Sequence, residues 1–222
     1  MSATDTRPAV PGTAAQHALE GLRRAMVEGE LRPGDRVRQE EIAEGLGVSL
    51  APVREALAVL EQEGQVTYLP RRGYFVARLD LAEMREIYEL RALLEERAAR
   101  QALPLLDEDG VERIELAARD CVDAAASGDV AAELEANRRF HFGVIGSPDQ
   151  VHTLRLIRLL WDSTETYRAL YYNSPRGRGE SLRAHDRIIG AIRDRDGERL
   201  VAELDAHRES ALALLAEILP EG

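Results

Sequence analysis

The chain of 222 residues contains no lysine, a single cysteine, a single tryptophan and few aromatic residues, 5% in all. Each scarcity excludes something. Cys121 has no partner for an internal disulfide, so packing must hold the fold and the cytoplasm is the expected setting. Cys121 itself reads as a small apolar residue of a helix. Without lysine, every cation is a guanidinium, suited to forked contacts with phosphate or guanine. No apolar run approaches the roughly 20 residues of a membrane helix, so no membrane partner is expected. The polar stretch Met1 to Pro11 has no apolar segment of an export signal. We expect residues 1–12 to form a disordered tail. His-Glu-x-x-His, Gly-x-Ser-x-Gly and a phosphate-cradling glycine loop are all missing, which removes the commonest hydrolase and nucleotide-binding signatures.

What is present describes a globular protein of one large or two medium domains, with 45% hydrophobic and 31% charged residues. The net charge of −11 argues against nucleic acid at first, but it is unevenly spread. Residues 1–78 hold ten arginines against eleven acids, while residues 79–222 hold nineteen against twenty-nine. The acid therefore sits in the second part, and a local basic face in the first remains available for DNA.

That first part is organised around Gly47-Val48-Ser49-Leu50-Ala51-Pro52-Val53-Arg54-Glu55-Ala56-Leu57. Ser49 is placed to cap a helix and Pro52 falls in its first turn. Val53, Ala56, Leu57 and Leu60 recur at helical spacing, and Gly64 is a stop signal. A shorter helix over Glu40–Leu46 precedes it across a tight Gly47-Val48-Ser49 turn. This is the pattern of a helix-turn-helix, and also of an ordinary helical hairpin. Another helix is expected from about Thr13 to Glu28. The β-rich runs Gln65–Leu69 and Tyr74–Ala77 flank Pro70-Arg71-Arg72-Gly73 and read as a hairpin with an arginine-rich tip. A hairpin straight after a recognition helix is a wing, and Arg71 and Arg72 would reach backbone or minor groove.

Residues 79–222 read as all helical, in about six segments: 81–102, 108–127, 129–146, 149–173, 180–194 and 197–218. Asn137 and His141 stand four residues apart on one helical face, and His185 and His207 fall on the last two helices. Bundle cores build metal sites from such inward-facing side chains, and imidazole suits zinc. Scattered histidines are also common as surface or core groups.

Residues 29–77 resemble the N-terminal domain of the GntR family of bacterial transcription regulators. The resemblance runs through Gly29-Glu30-Leu31-Arg32-Pro33-Gly34-Asp35, Leu46-Gly47-Val48-Ser49, Pro52-Val53-Arg54-Glu55-Ala56-Leu57 and Arg72-Gly73-Tyr74-Phe75-Val76. One position departs from it: Leu50 stands where the family usually carries an operator-contacting arginine. Further on, Arg91-x-x-Leu94-Glu95, Asn137 with Phe140-His141, His185 with Asp196, and His207 resemble the FCD domain of the FadR-type subfamily. Six helices are similar to its shorter, VanR-like group.

The resemblance implies a mainly α fold: a winged helix-turn-helix over 13–78 and an antiparallel helical FCD bundle over 79–222 that binds effector and dimerises. Taken with the arginine-rich tip, it points to DNA contact by Ser49, Leu50, Arg54, Arg71, Arg72 and Gly73, with Arg36 and Arg38 as phosphate candidates. A divalent metal, zinc above nickel or manganese, would be held by Asn137, His141, His185 and His207. A small carboxylate effector would meet Arg91, Arg168 and Tyr171. The other aromatics of that helix, Trp161, Tyr167 and Tyr172, would mostly serve packing. The implied function is a non-enzymatic repressor that binds an inverted-repeat operator in double-stranded DNA as a homodimer. The alternative is a metal-dependent hydrolase of small esters or lactones, with Glu95 as the only carboxylate placed near the pocket.

Overall fold

Thr13 opens the first helix of the computed structural model by accepting a hydrogen bond from the Gln16 amide. The structure describes residues 13–217 and 219, so the expected tail lies outside the described residues. Helix α1 (Ala14–Val27) packs beside α2 (Gln39–Leu46) and α3 (Leu50–Gln62). Their apolar faces meet through Leu22, Val53, Leu57 and Leu60, all essentially without exposure. Gly47 ends α2 in the left-handed region at φ 66°, a conformation that costs a glycine little and makes the tight turn into α3.

Strands β1 (Val66–Leu69) and β2 (Gly73–Val76) form an antiparallel hairpin that pairs Val66 with Val76 and Leu69 with Gly73. Residue 36 adds a bridge to Phe75, flanked by hydrogen bonds from the Val37 amide to the Tyr74 carbonyl and from the Val76 amide to the Asp35 carbonyl. This third edge directly follows the turn-rich connector 29–35, at a position where the sequence pattern marked no strand.

Beyond the hairpin, α4 (Leu81–Ala102) starts with a reciprocal capping box between Asp80 and Glu83. It is followed by α5 (Glu108–Ser127), α6 (Val130–Ile145), α7 (Val151–Ser163), α8 (Glu165–Tyr172), α9 (Pro175–Arg193) and α10 (Gly197–Ala216). Two boundaries differ from expectation. The segment 149–173 is broken at Thr164, which leaves seven bundle helices among the described residues. The Thr164 hydroxyl bonds the carbonyls of Leu160 and Trp161, a local competition that diverts the helical ladder. Ser174-Pro175 is a start rather than a stop. Ser174 accepts from the Gly177 amide, and Pro175 takes the first helical position, where a missing N–H costs nothing. Gly177 is required there, because a Cβ would lie 2.6 Å from the Tyr171 carbonyl oxygen across the α8–α9 contact.

The bundle core gathers Phe140, Ile157, Trp161, Ile188 and Leu200. A further cluster joins the two parts of the chain: Val27 of α1 packs with Met84, Tyr88, Tyr167, Tyr172 and Leu215. Between these apolar layers lies a charged centre. Glu95 is 1% exposed. Its Oε1 accepts from Arg91 Nε at 2.9 Å and from the Trp161 indole N–H at 2.7 Å, and its Oε2 accepts from Arg208 at 2.6 Å. Removing one partner of such a buried network leaves uncompensated charge, at a cost of about 3–5 kcal/mol. Glu95→Gln is therefore expected to lower unfolding stability by that order, read by urea denaturation at pH 7. A change well under about 1 kcal/mol would show that the two guanidiniums find other partners.

Candidate DNA interface and buried histidine site

The sequence-marked residues of the winged helix lie at its surface. Arg36, Arg38, Ser49, Arg54, Arg71 and Arg72 are exposed, and Gly73 is half-buried. Contacts link them into one region. Arg54 Nε donates to Gln39 at 3.3 Å, beside Arg38 at the start of α2. Arg36 bridges to Phe75, and its guanidinium approaches Gly73 at the hairpin tip. The tip is tight: the Arg72 amide donates to the Leu69 carbonyl, Arg71 adopts φ 64° and Gly73 φ 91°. Arg72 also lies over the Phe75 ring at 5.2 Å.

Two readings at the head of α3 change. Ser49 holds the cap position with extended backbone, but its hydroxyl makes no capping bond. It is left exposed beside amides of the first turn. Leu50 is half-buried and packs against the N-terminal core, so part of its apolar surface is already spent on the fold. Arg38 is engaged locally, with Glu41 at 2.8 Å.

The second site is interior. Asn137 and His141 project from one face of α6, His185 from α9 and His207 from α10, and all four are buried. The three imidazole rings form a near-regular triangle with centroid separations of 5.1–5.5 Å, and each ring offers a nitrogen within 4.8 Å of the others. Asn137 Oδ1 lies 3.1 Å from His185 Nε2. Phe140 stacks on His185 at 4.0 Å and fixes that ring.

Burial pushes His207 down to about 4, and the Arg91 and Arg208 guanidiniums add to the effect. Burial likewise holds His141 and His185 well below the ordinary histidine value, with neighbouring His207 reinforcing both. All three rings are thus neutral near pH 7, the form that ligates a cation. Nδ1 of His141 and Nδ1 of His185 are buried without a hydrogen-bond partner. One nitrogen from each of three imidazoles, two of which keep an unpartnered Nδ1, together with one amide oxygen fit a borderline divalent cation. The exposed His17 and His152 lie outside the triangle.

A small cavity of about 30 Å³ opens beside the histidines, bounded by Arg91, Trp161, Arg168 and Tyr171 among others. The three expected effector residues therefore meet in one space with Asn137, His141 and His207. Tyr88 and Arg208 also line it, and neither carried a sequence signal of its own. Tyr167 faces elsewhere: its hydroxyl accepts from the Leu79 amide at 2.6 Å. Glu95 is no general base. Burial alone would raise its pKa, but Arg91, Arg208 and the Trp161 N–H outweigh that and hold it below the usual carboxylate range, with both oxygens occupied.

Comparison with known proteins agrees with this architecture. The description "Bacterial regulatory proteins, gntR family" matches residues 14–76, and the FCD domain matches residues 86–210. The chain is 26% identical over 202 residues to the HTH-type transcriptional regulator YdhC of Bacillus subtilis, covering 90% of each chain. It is 24% identical over 207 residues to the HTH-type transcriptional repressor RspR of Escherichia coli, covering 90% of this chain and 88% of the relative. The solved structure of E. coli McbR/YncC superposes with a TM-score of 0.80 over 93% of this chain and 99% of that one, at 22% identity. No helix among the described residues is long and apolar enough to cross a membrane. A helix-turn-helix with a wing, joined to a helical bundle around buried histidines, has its place in these matches: the chain belongs to the GntR family of DNA-binding transcription regulators and carries an FCD ligand-binding domain.

Proposed function

We propose that the protein is a metal-dependent, carboxylate-responsive repressor that acts as a homodimer on an inverted-repeat operator. The observation that carries this reading is the neutral histidine triangle set beside buried guanidiniums. His141, His185, His207 and Asn137 would hold the metal, with zinc favoured by the nitrogen donors. A bound divalent ion would supply positive charge and an exchangeable coordination position. All four ligands are neutral, so that charge would remain available to an anion. Arg91 and Arg168 add fixed positive charge to the same space, and Tyr171 contributes a hydroxyl without a partner.

On the DNA side, α3 enters the major groove with Ser49 and Arg54 leading, while Arg36, Arg38, Arg71 and Arg72 hold phosphate or minor groove and the turn at Gly73 shapes the wing. Leu50 presents an apolar edge where the family carries arginine, which suits a thymine methyl. The repressor reading draws on the name of the relative RspR.

The dimer reading draws on the bundle surface. Leu90 and Leu93 on α4, and Val151, Leu156 and Leu159 on the adjacent α7, are 43–68% exposed. Exposed Arg155 and Arg158 of α7 face outward among these residues, and exposed Glu86 and Glu89 stand on α4. A two-fold pairing that sets α4 against the second copy's α7 matches charge as well as apolar surface.

Two measurements test the reading. Arg54→Ala is expected to weaken binding to a selected operator by about 10–100-fold at fixed salt. Unchanged affinity would mean that α3 does not lead into the groove. Purified wild type is expected to carry close to one equivalent of divalent metal per chain by elemental analysis, and His141→Ala a small fraction of it. Equal metal in both proteins would remove the histidine assignment.

A further inference from the structure

Three guanidiniums reach the cavity, and they are not equivalent. Arg91 is bonded to Glu95, and Arg208 to Glu95 and Asp205. Arg168 has no carboxylate within ion-pair distance among the described residues, although it is only 6% exposed. One of its nitrogens donates to the Trp161 carbonyl at 3.0 Å. Its Nε and Nη1 are buried without a partner, and the guanidinium lies 4.3 Å from the Trp161 ring centroid. Burial pulls its pKa down. A buried charge in this state is costly until an anion joins it.

Arg168 also occupies a boundary. It lines the cavity beside the histidines on one side. On the other it lines the wide cleft between α1 and the bundle, where Arg23, Glu63, Asp162 and Glu165 stand. The cavity's 30 Å³ has room for about two waters, so an organic acid must displace a wall. Helix α8 supplies one wall through Arg168, Tyr171 and Tyr172. It is a short segment separated from α7 at Thr164, and its Tyr167 holds the Leu79 backbone just ahead of α4. Val27, the last residue of α1, packs into the same cluster as Tyr167.

We propose that Arg168 is the residue that pairs with the effector's acidic group, and that α8 carries its displacement to the DNA-binding half through Tyr167 and Val27. This rests on the reading of the cavity as the effector site. The anion takes Nε together with Nη2, the nitrogen that otherwise donates to the Trp161 carbonyl, as a fork, while Arg91 stays with Glu95 as part of the scaffold. The guanidinium gives up its hold on the Trp161 carbonyl, α8 shifts, and the contact with Leu79 and Val27 passes the shift on. Coupling follows because the anion pairs better with the displaced arrangement than with the closed one.

The test uses the full-length zinc-loaded protein with acetate, succinate and benzoate as probes. Calorimetry reads acid binding, and hydrogen exchange reads the Leu79 amide and the C-terminal turn of α1. At least one acid is expected to bind, and to change exchange at both places by about threefold or more at saturation. Arg168→Gln should weaken that acid about tenfold or more without loss of zinc, and Arg168→Lys, which keeps the charge but not the fork, should recover part of it. Tyr167→Phe should leave acid affinity within about twofold yet abolish the acid-induced change in α1. Undiminished affinity in both Arg168 variants overturns the anchor. An undiminished response of α1 in Tyr167→Phe overturns the route. If no acid binds to zinc-loaded wild type, the carboxylate reading fails and the inference fails with it. If an acid binds but leaves Leu79 and α1 unchanged, only the inference fails.

Discussion

A single carboxylate, Glu95, settles how the bundle interior is arranged. It collects Arg91 from its own helix, Arg208 from α10 and the indole N–H at the end of α7. Three helices are thereby held at one point by charge-assisted bonds, in a region where water cannot substitute. Burial keeps the neighbouring histidines neutral, and the Arg91 and Arg208 guanidiniums around Glu95 reinforce it at His141 and His207. The ion pair and the histidine triangle thus share one buried interior: exclusion of water keeps the rings unprotonated, and the guanidiniums act in the same direction at His141 and His207.

The two halves of the chain solve different problems. The winged helix has a small core and puts Arg36, Arg54, Arg71 and Arg72 at its surface. The bundle turns charge inward and leaves apolar side chains exposed on α4 and α7. Their junction is neither: Val27, Tyr88, Tyr167 and Leu215 pack there, and the Leu79 backbone is bonded by a tyrosine. The linker is thus tied to the bundle by both contact and hydrogen bonding.

Much of this was legible in the sequence, because its signals were local. Ser, Asp and Gly at helix ends, apolar residues at helical spacing and Pro70–Gly73 between β-rich runs mark elements directly. Asn137 and His141 share a face by simple periodicity. The joining of His185 and His207 to them came from resemblance, since no local pattern places residues of three helices together. What was hidden depended on tertiary context. Thr164 reads as an ordinary helical residue until its hydroxyl takes backbone carbonyls, and Ser174-Pro175 serves equally as a helix end or a helix start. The role of Arg208 was invisible because its partner lies 113 residues away. Likewise, Arg91 and Arg168 look alike as letters, and only their surroundings divide them into a paired and an unpaired guanidinium.

The break at Thr164 has a practical consequence. It falls between Trp161 and Arg168, so the two members of one stack belong to different helices, and any relative motion of those helices alters the surroundings of the indole. Trp161 is the chain's sole tryptophan; it touches His141, Arg91, Arg168 and Glu95 at once. The protein thus carries an intrinsic fluorophore between the histidine triangle and the Arg168 guanidinium, and its emission would report a change in either without any label.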